Sequence, residues 1–347
     1  MIKRVEFPLI AAVAAAVFLT TVSCNAPVKS REAMIEEVLA GKRDVTILVT
    51  DSGLGGLSVA ADLAARLPQS GVFRRARIVF YNALFHDTGY NGLGSEAEKV
   101  RIFDQVLRAM HQKYEPDILL IACNTLSVLY DLTPFSRWAP FPAVGIVETG
   151  VDLIARQFAE TPDATAIIFG TKTTIGSEAH KKALVARGIP PGQIIGQACH
   201  KLAGAIERGT ETEETTAYIK QFVTEALAKA GGPASGRTFF GSFNCTHYGY
   251  ARKQFSEAFA AAGIPDIVLL DPNPHLADFM FRPEYLHKHP ETSVTVETVS
   301  KLEITAEEIA SIGPLLRTVS PAAADSLENY ELKPDLFEVD FKAPPKK

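Results

Sequence analysis

The stretch PDILLIACNTLSVLYDL, residues 116–132, joins two different sequence patterns. Its first part, PDILLIA (116–122), is a continuous apolar run with the length of a strand that is buried on both faces. Its second part, CNTLSVLYDL, begins a helix. A buried strand that leads directly into a helix is typical of a parallel sheet covered by helices. Cys123 lies at the junction of the two patterns.

The same order of strand and helix recurs along the chain. Further apolar runs predict strands at 45–50, 77–81, 142–147, 164–170, 193–198, 236–243 and 266–271. We therefore predict an α/β fold with two pseudo-symmetric, doubly wound parallel-sheet domains and the active site in the cleft between them. The predicted N-terminal domain covers 44–147 and the second domain covers 148–271. Residues 272–347 are predicted as a C-terminal helix that returns to the first domain, followed by an irregular extension.

The N-terminal segment has the pattern of an export signal. Residues 1–24 begin with basic residues, continue with an apolar segment at about 7–22 and end in Cys24. This pattern resembles a lipoprotein signal peptide in which Cys24 is lipidated, and 25–43 then form a tether or a first helix. An uncleaved anchor helix and a soluble export signal are the alternatives. We predict a lipid-anchored protein of the bacterial cell envelope, periplasmic or on the outer face.

Composition limits the classes of protein that the chain can represent. The chain has 347 residues, 47% of them hydrophobic, which is enough for a sizeable core and about two domains. Its net charge of -5 argues against a nucleic-acid-binding protein. Besides Cys24 there are three cysteines, and an odd number is a poor disulfide framework. Cys123 and Cys245 lie beside polar residues at strand ends, so we expect chemistry there, whereas Cys199 is expected to be a buried bystander.

Polar residues follow several of the predicted strands. In open parallel sheets, ligands bind beyond the carboxyl ends of the strands. Asp51, Cys123, Thr171 and Cys245 all lie at such ends. The sequence therefore predicts that these four residues contribute to one site.

Three motifs carry a resemblance to a known family. They are ILVTDSGLGGLSV (47–59), IACNTLS (121–127) and NCTHYGY (244–250). Across about 44–275, the chain resembles the glutamate racemases and the wider aspartate/glutamate racemase superfamily. The resemblance implies an isomerase of cell-wall (peptidoglycan) metabolism that interconverts L- and D-glutamate without a cofactor or a metal. It also implies a small amino acid as the binding partner, no nucleic acid, and a homodimer as one oligomeric state.

A racemase of this kind removes the Cα proton from one face of the substrate and delivers a proton to the other face. A thiol, with an ordinary pKa of about 8.5, needs only a small shift to act as the base. The resemblance implies that Cys123 and Cys245 form the catalytic pair. It assigns Asp51 to assist the first thiol, His247 to assist the second, and Glu207 as a further catalytic acid.

The resemblance also implies a set of substrate-binding residues. These are Ser52, Tyr90, Asn91, Asn124, Thr125, Thr171, Thr173, Thr174 and Thr246. The chain departs from the family pattern at three places. TGYNGLGS (88–95) stands where the family has Pro-Tyr-Gly, Gly249 stands where it has Pro, and LDPNPHLADF (270–279) stands where it has Asp-Ser.

Each assignment has a purely structural alternative. The two thiols could be small buried hydrophobic groups, Asp51 could be the N-cap of the following helix, His247 could be a core residue and Glu207 a solvated helix charge. At the level of function, the alternatives are a racemase of another acidic substrate and an exported, non-catalytic amino-acid-binding lipoprotein on a racemase scaffold. The histidine of CTHY favours glutamate over aspartate as the substrate.

Overall fold

The structure is a computed structural model that describes residues 29–232 and 237–341. The predicted signal peptide (1–24) and the lipidation site Cys24 lie outside the described residues. The predicted tether is described from residue 29 onward, and it contains a helix, α1 (Arg31–Gly41).

Strands and helices alternate along the described chain. The first part contains β1 (Asp44–Asp51), α2 (Leu57–Ser70), β2 (Arg75–Asn82), α3 (Glu96–Tyr114), β3 (Ile118–Ile121), α4 (Asn124–Tyr130) and β4 (Ala143–Gly145). The second part contains α5 (Ile146–Glu160), β5 (Thr165–Gly170), α6 (Lys172–Gly176), α7 (Ala179–Ala186), β6 (Ile194–Ala198), α8 (Leu202–Arg208), α9 (Glu213–Lys229), β7 (Phe239–Asn244), α10 (Arg252–Ala261) and β8 (Val268–Leu270). The last part contains β9 (Ser293–Ser300), α11 (Ala306–Val319), α12 (Pro321–Glu328) and β10 (Glu331–Leu332).

The strands form two separate sheets in which neighbouring strands are parallel. The first sheet has the order β10-β9-β2-β1-β3-β4, and the second has the order β6-β5-β7-β8. This arrangement confirms the predicted α/β fold class with two parallel sheets.

Both sheets are buried on both faces, which explains the continuous apolar runs. Ile47 and Val49 of β1 pack in the cluster that includes α2, whereas Leu48 between them packs in the cluster that includes α3. In β5, Phe169 packs with α9 and α10 on one face, and Ile168 packs with α5 on the other. Because successive side chains of a strand point to opposite faces, a strand with two covered faces must be apolar at every position.

The C-terminal segment differs from the prediction. We expected an irregular extension, but Ser293–Ser300 form β9, which pairs with β2 along its whole length. Helices α11 and α12 then pack against α2. The run SVTVETVS (293–300) alternates between Val and polar residues over most of its length, so the pattern of a half-buried strand was present in the sequence.

One predicted strand is shorter than expected. The run 142–147 was predicted as a strand, but β4 ends at Gly145 and α5 begins at Ile146. The hydroxyl of Ser127 accepts a hydrogen bond from the Ile146 backbone N–H at 3.1 Å. This contact satisfies one N–H at the start of the helix, so the chain turns there although the sequence stays apolar.

The C-terminal helices contribute to the core, and this can be tested on α12. Leu327 is fully buried against the cluster around α2, whereas Leu332 in β10 is 48% exposed. We expect Leu327→Ala to lower the free energy of unfolding by about 2–5 kcal/mol because it leaves a cavity. We expect Leu332→Ala to change it by less than about 0.5 kcal/mol. Urea denaturation of both variants measures the difference, and equal effects would show that the segment lies outside the core.

Candidate active site

The carboxyl ends of strands from both sheets meet at one cavity. The ends of β1 and β3 contribute Asp51 and Cys123, and the ends of β5 and β7 contribute Thr171 and Cys245. The sequence pattern had predicted that these four residues converge, and the structure brings them together. The remaining wall residues are Ser52, Gly53, Leu84, Asp87, Thr88, Gly89, Tyr90, Asn91, Asn124, Thr125, Ala203, Gly204, Glu207, Thr246 and His247.

The first thiol belongs to Cys123, which directly precedes α4. Its Sγ lies 3.2 Å from the hydroxyl of Ser52. Burial raises the pKa of the Cys123 thiol well above its ordinary value, and the neighbouring charge of Asp51 acts in the same direction. Without a ligand, this thiol is therefore held in its protonated form.

Asp51 connects the two sheets at the back of the cavity. Its Oδ1 accepts a hydrogen bond from the Ser52 backbone N–H at 2.6 Å, and its Oδ2 accepts one from the Thr246 hydroxyl at 2.6 Å. Burial raises the pKa of this carboxyl group, and these hydrogen bonds and the charge of His247 oppose that shift only in part. The N-cap alternative is wrong, because the N-cap of α2 is Gly56 and it makes no side-chain cap.

The second thiol belongs to Cys245 and has a different partner. Its Sγ lies 3.6 Å from His247 Nδ1, and His247 Nε2 lies 2.7 Å from Glu207 Oε1. Glu207 also accepts a hydrogen bond from the Leu54 backbone N–H at 2.6 Å. Glu207 is therefore a partly buried, hydrogen-bonded group at the cavity and not a solvated helix charge.

The His247–Glu207 pair is charged. Burial disfavours the imidazolium, but the carboxylate of Glu207 outweighs this and raises the pKa of His247 well above its ordinary value. Burial likewise disfavours the carboxylate, but the charge of His247 lowers the pKa of Glu207 overall. The protonated Nε2 donates to Glu207, so the Gly55 backbone N–H, 3.1 Å from the same nitrogen, cannot use it as an acceptor.

Two glycines allow the halves of the molecule to approach so closely. A Cβ atom added at Gly53 would lie 2.7 Å from Glu207 Oε1, and one at Gly55 would lie 2.8 Å from the His247 backbone nitrogen. Real side chains do not tolerate such contacts. Gly53 and Gly55 therefore allow the close contact between the two halves of the molecule.

The predicted substrate-binding residues fall into two groups. Ser52, Tyr90, Asn91, Asn124, Thr125, Thr171 and Thr246 line the cavity. Thr173 and Thr174 do not: Thr173 binds Asn91, and Thr174 binds the hydroxyl of Thr171. Both amide atoms of the buried Asn124 lack a hydrogen-bond partner within the described residues. This side chain therefore has one donor and one acceptor group available at the cavity wall.

Sequence reasoning missed a residue that supports the second thiol. Asn273 follows β8 and is buried, and its Nδ2 donates to the Thr246 carbonyl at 2.8 Å and to the Ser58 hydroxyl at 2.9 Å. The rule about strand ends could have found it, since β8 is the fourth strand of the second sheet. Cys199, expected to be a bystander, is buried behind the site and does not line the cavity.

Within residues 29–232 and 237–341, no group of three or more His, Cys, Asp or Glu side chains is arranged to hold a metal ion. A fold of two parallel α/β sheets with a thiol from each at one cavity is the arrangement that the sequence analysis expected of an amino-acid racemase.

Comparisons with known proteins identify the family. A scan against models of protein families finds no match. A curated glutamate racemase of Syntrophus aciditrophicus is 30% identical over 233 residues, which cover 66% of this chain and 76% of the relative. A glutamate racemase of Lysinibacillus sphaericus is 28% identical over 208 residues, which cover 59% of this chain and 70% of the relative. The chain belongs to the glutamate racemase family and is therefore an isomerase.

Solved structures of glutamate racemases have the same fold as this chain. The glutamate racemase of Campylobacter jejuni superposes with a TM-score of 0.58 at 21% identity and covers 78% of this chain and 98% of its own. A glutamate racemase of Francisella tularensis in complex with D-glutamate superposes with a TM-score of 0.58 at 19% identity and covers 80% and 95%.

The comparisons contradict the predicted location. We predicted a lipid-anchored protein of the cell envelope, but the matching relatives are glutamate racemases, which are cytoplasmic enzymes of peptidoglycan synthesis. A basic start before an apolar segment ending at Cys24 was a short, nonspecific pattern, and no lipid anchor is shown for it. In the part of the chain that the structure describes, no helix is long and apolar enough to cross a membrane.

The charged pair at the second thiol makes a prediction about pH. Because the folded state raises the pKa of His247, the native protein keeps a proton that the unfolded chain releases above its ordinary pKa of about 6.5. The stabilisation that the His247–Glu207 pair contributes to the folded state is thus fully present below about pH 6.5, and it is lost as the pH rises through the raised pKa of His247. Glu207→Gln removes the charge that raises the pKa of His247. Between pH 6.5 and pH 9, the melting temperature of this variant should therefore fall less than that of the unmodified protein.

The control for this experiment is Glu160→Gln, which removes an exposed carboxylate at the end of α5. Its melting curve should follow that of the unmodified protein across the same pH range. Parallel pH curves for the Glu207 variant and the unmodified protein would contradict the charged pair.

Two departures from the family pattern lie in contact. A Cβ atom added at Gly249 would collide with Oδ2 of Asp271, whose partly buried carboxylate follows β8. We expect Gly249→Ala to lower the free energy of unfolding by about 1–3 kcal/mol, the usual range for overpacking. In a double-mutant cycle with Asp271→Ala, part of this loss should be recovered. Strictly additive effects would mean that the two positions are not coupled.

Proposed function

We propose that this protein interconverts L- and D-glutamate by a two-base exchange of the Cα proton between Cys123 and Cys245. The observation that carries the proposal is one cavity into which each sheet contributes a buried thiol: Cys123 lies beside the carboxyl group of Asp51, and Cys245 lies 3.6 Å from His247 Nδ1. The names of the curated relatives support the reaction. The Francisella structure with D-glutamate supports the substrate class.

The proposed reaction balances without a cofactor. One sulfur, as thiolate, takes the Cα proton, and the bonding electrons remain on the substrate as a carbanion. The other sulfur, as thiol, gives a proton to the opposite face of the same carbon. After the reaction, the first sulfur is a thiol and the second is a thiolate, so the enzyme can catalyse the reverse reaction.

The partners suit these roles because their electrostatics differ. Burial raises the pKa of both Cys123 and Asp51, so this pair is poised to hold protons. At the other side, protonated His247 lies 3.6 Å from the Cys245 sulfur and can stabilise negative charge there, while Glu207 keeps it charged. The two thiols therefore have different surroundings, as a reaction that uses one acid and one base requires.

Polar groups of the cavity wall are available for the amino-acid head group. We propose that Asn124, whose amide atoms have no partner in the part of the chain that the structure describes, binds the substrate ammonium and carboxylate together with Ser52, Thr125, Thr171 and Thr246. Placing the carboxylate among hydroxyl and amide donors would stabilise the negative charge that develops on the neighbouring Cα.

The two thiols provide the direct test. We expect Cys123→Ala and Cys245→Ala each to lower kcat/KM for racemisation by at least about 10²-fold, because each removes one of two essential proton-transfer groups. The measurement follows loss of the Cα–H NMR signal in deuterated, reducing buffer with L- and D-glutamate. Full activity in both single variants would refute the mechanism.

Cys199→Ala is the matched control, since it removes a third buried thiol that does not line the cavity. Its activity should stay within a few-fold of that of the unmodified protein. The same assay with other acidic amino acids tests the second candidate. Exchange with another substrate and none with glutamate would retain the thiol pair and replace the proposed substrate.

The domain limits and the oligomeric state remain predictions from the sequence. We propose the limits 44–147 and 148–271 for the two domains and a homodimer in solution. Limited proteolysis tests the limits, and light scattering after gel filtration tests the dimer by its mass.

A further inference from the structure

A chain of hydrogen bonds crosses the cleft next to the cavity. Asn91, in the loop before α3, accepts hydrogen bonds at its Oδ1 from the Thr173 hydroxyl at 2.8 Å and from the Thr173 backbone N–H at 3.2 Å. Lys99, in α3, donates to the same hydroxyl at 2.8 Å. The Thr173 hydroxyl thus accepts from Lys99 and donates to Asn91, which fixes the direction of both bonds.

These bonds determine which end of the Asn91 amide remains available. Its Oδ1 is engaged by two donors, whereas its Nδ2 has no hydrogen-bond partner among the residues that the structure describes. Asn91 also lines the cavity. The amide is therefore fixed with its donor end unpaired, which suits an anionic oxygen of a ligand.

Lys99 is a partly buried cation without an ion-pair partner. In the described part of the chain, no carboxylate lies within ion-pair distance of its Nζ. Partial burial lowers the pKa of Lys99, and the charge of Glu96, one turn earlier, opposes this shift. A charge that has lost some of its hydration and lacks a counter-ion is stabilised by an anion bound nearby.

The charges of the cavity wall show why an acidic substrate needs such a cation. The wall carries the carboxyl groups of Asp51, Asp87 and Glu207, and its cationic member, His247, is already paired with Glu207. A substrate with a second carboxylate would meet a negative or neutral wall. Lys99 contributes a positive charge from just behind Asn91 and Thr173.

We propose that Lys99 determines the specificity for a side-chain carboxylate: through Thr173 it orients Asn91, and its charge favours an amino acid with an acidic side chain. This inference rests on the proposed racemase function and deepens it, because it names the residue that selects the substrate class. Lys99 lies outside the cavity wall and belongs to none of the three motifs of the family.

The test is Lys99→Gln, which keeps a hydrogen-bond donor for Thr173 but removes the charge. We expect KM for L- and D-glutamate to rise about tenfold with kcat within about threefold, since uniform binding and not the proton transfer is weakened. The inhibition constant of glutamine, the neutral isostere of glutamate, should change by less than about twofold. Lys113→Gln, at the other end of α3, is the matched control and should leave KM and kcat unchanged.

Two results would overturn the inference. One is an unchanged KM for glutamate in Lys99→Gln. The other is an equal loss for glutamate and glutamine together with a lower melting temperature, because that pattern indicates a structural role. Failure of the proposed function itself has a different signature, which is no Cα–H exchange in the unmodified protein. In that case, calorimetry measures the binding of glutamate and glutamine to the unmodified protein and to Lys99→Gln. A loss of affinity for glutamate alone would still show that Lys99 selects a ligand with a side-chain carboxylate.

Discussion

The close contact between the loop after β1 and the loop after β7 is the constraint on which the site depends. The Thr246 hydroxyl donates to Asp51, and the backbone N–H of Leu54 donates to Glu207, so each loop holds a candidate catalytic group of the other half of the molecule. Side chains at Gly53 or Gly55 would fill the space that these contacts need. The close approach that lets the two thiols face one cavity therefore depends on glycine at positions 53 and 55.

The same contact removes water from ionisable groups, and the outcome depends on the partners that each group finds. Asp51 has hydrogen-bond donors but no cation in direct contact, so burial prevails and its pKa rises. Glu207 touches His247, and the pair retains its charge inside the protein. A single interface thus produces two different acid/base environments, which a reaction with one acid and one base requires.

Much of this arrangement could be predicted from the sequence because it follows from local patterns. The apolar runs located the strands of both sheets, and the rule about strand ends located Asp51, Cys123, Thr171 and Cys245. The three motifs contain six of the other wall residues, namely Ser52, Gly53, Asn124, Thr125, Thr246 and His247. Errors arose where tertiary contacts outweigh local pattern, as at β4, which a hydroxyl from α4 ends early, and at β9, which was read as part of an irregular tail.

The contacts of long polar side chains could not be read from any motif. Lys99 reaches Thr173 from α3, and nothing in its own neighbourhood along the sequence indicates this contact. Thr173 was expected to bind substrate, whereas its hydroxyl holds Asn91. Errors of this kind are expected for residues at the edges of a cleft. Each such residue is exposed in its own half of the molecule, so its local sequence does not indicate which residue of the other half it contacts.

Two of the places where the sequence departs from the pattern of its family make specific contacts in the structure. Gly249 leaves room for the Asp271 carboxylate, and the loop of Tyr90 and Asn91 is held by Thr173 from the opposite side of the cleft. Because a change at one side of such a contact is tolerated only when the other side fits it, these positions are coupled in pairs. The thiols and their acids, by contrast, depend on the glycine contact that the first and third motifs provide. The position of the two thiols therefore depends on the glycine contact, whereas the surrounding loops depend on paired contacts such as Thr173 with Asn91. A change in one of those paired contacts need not move the thiols.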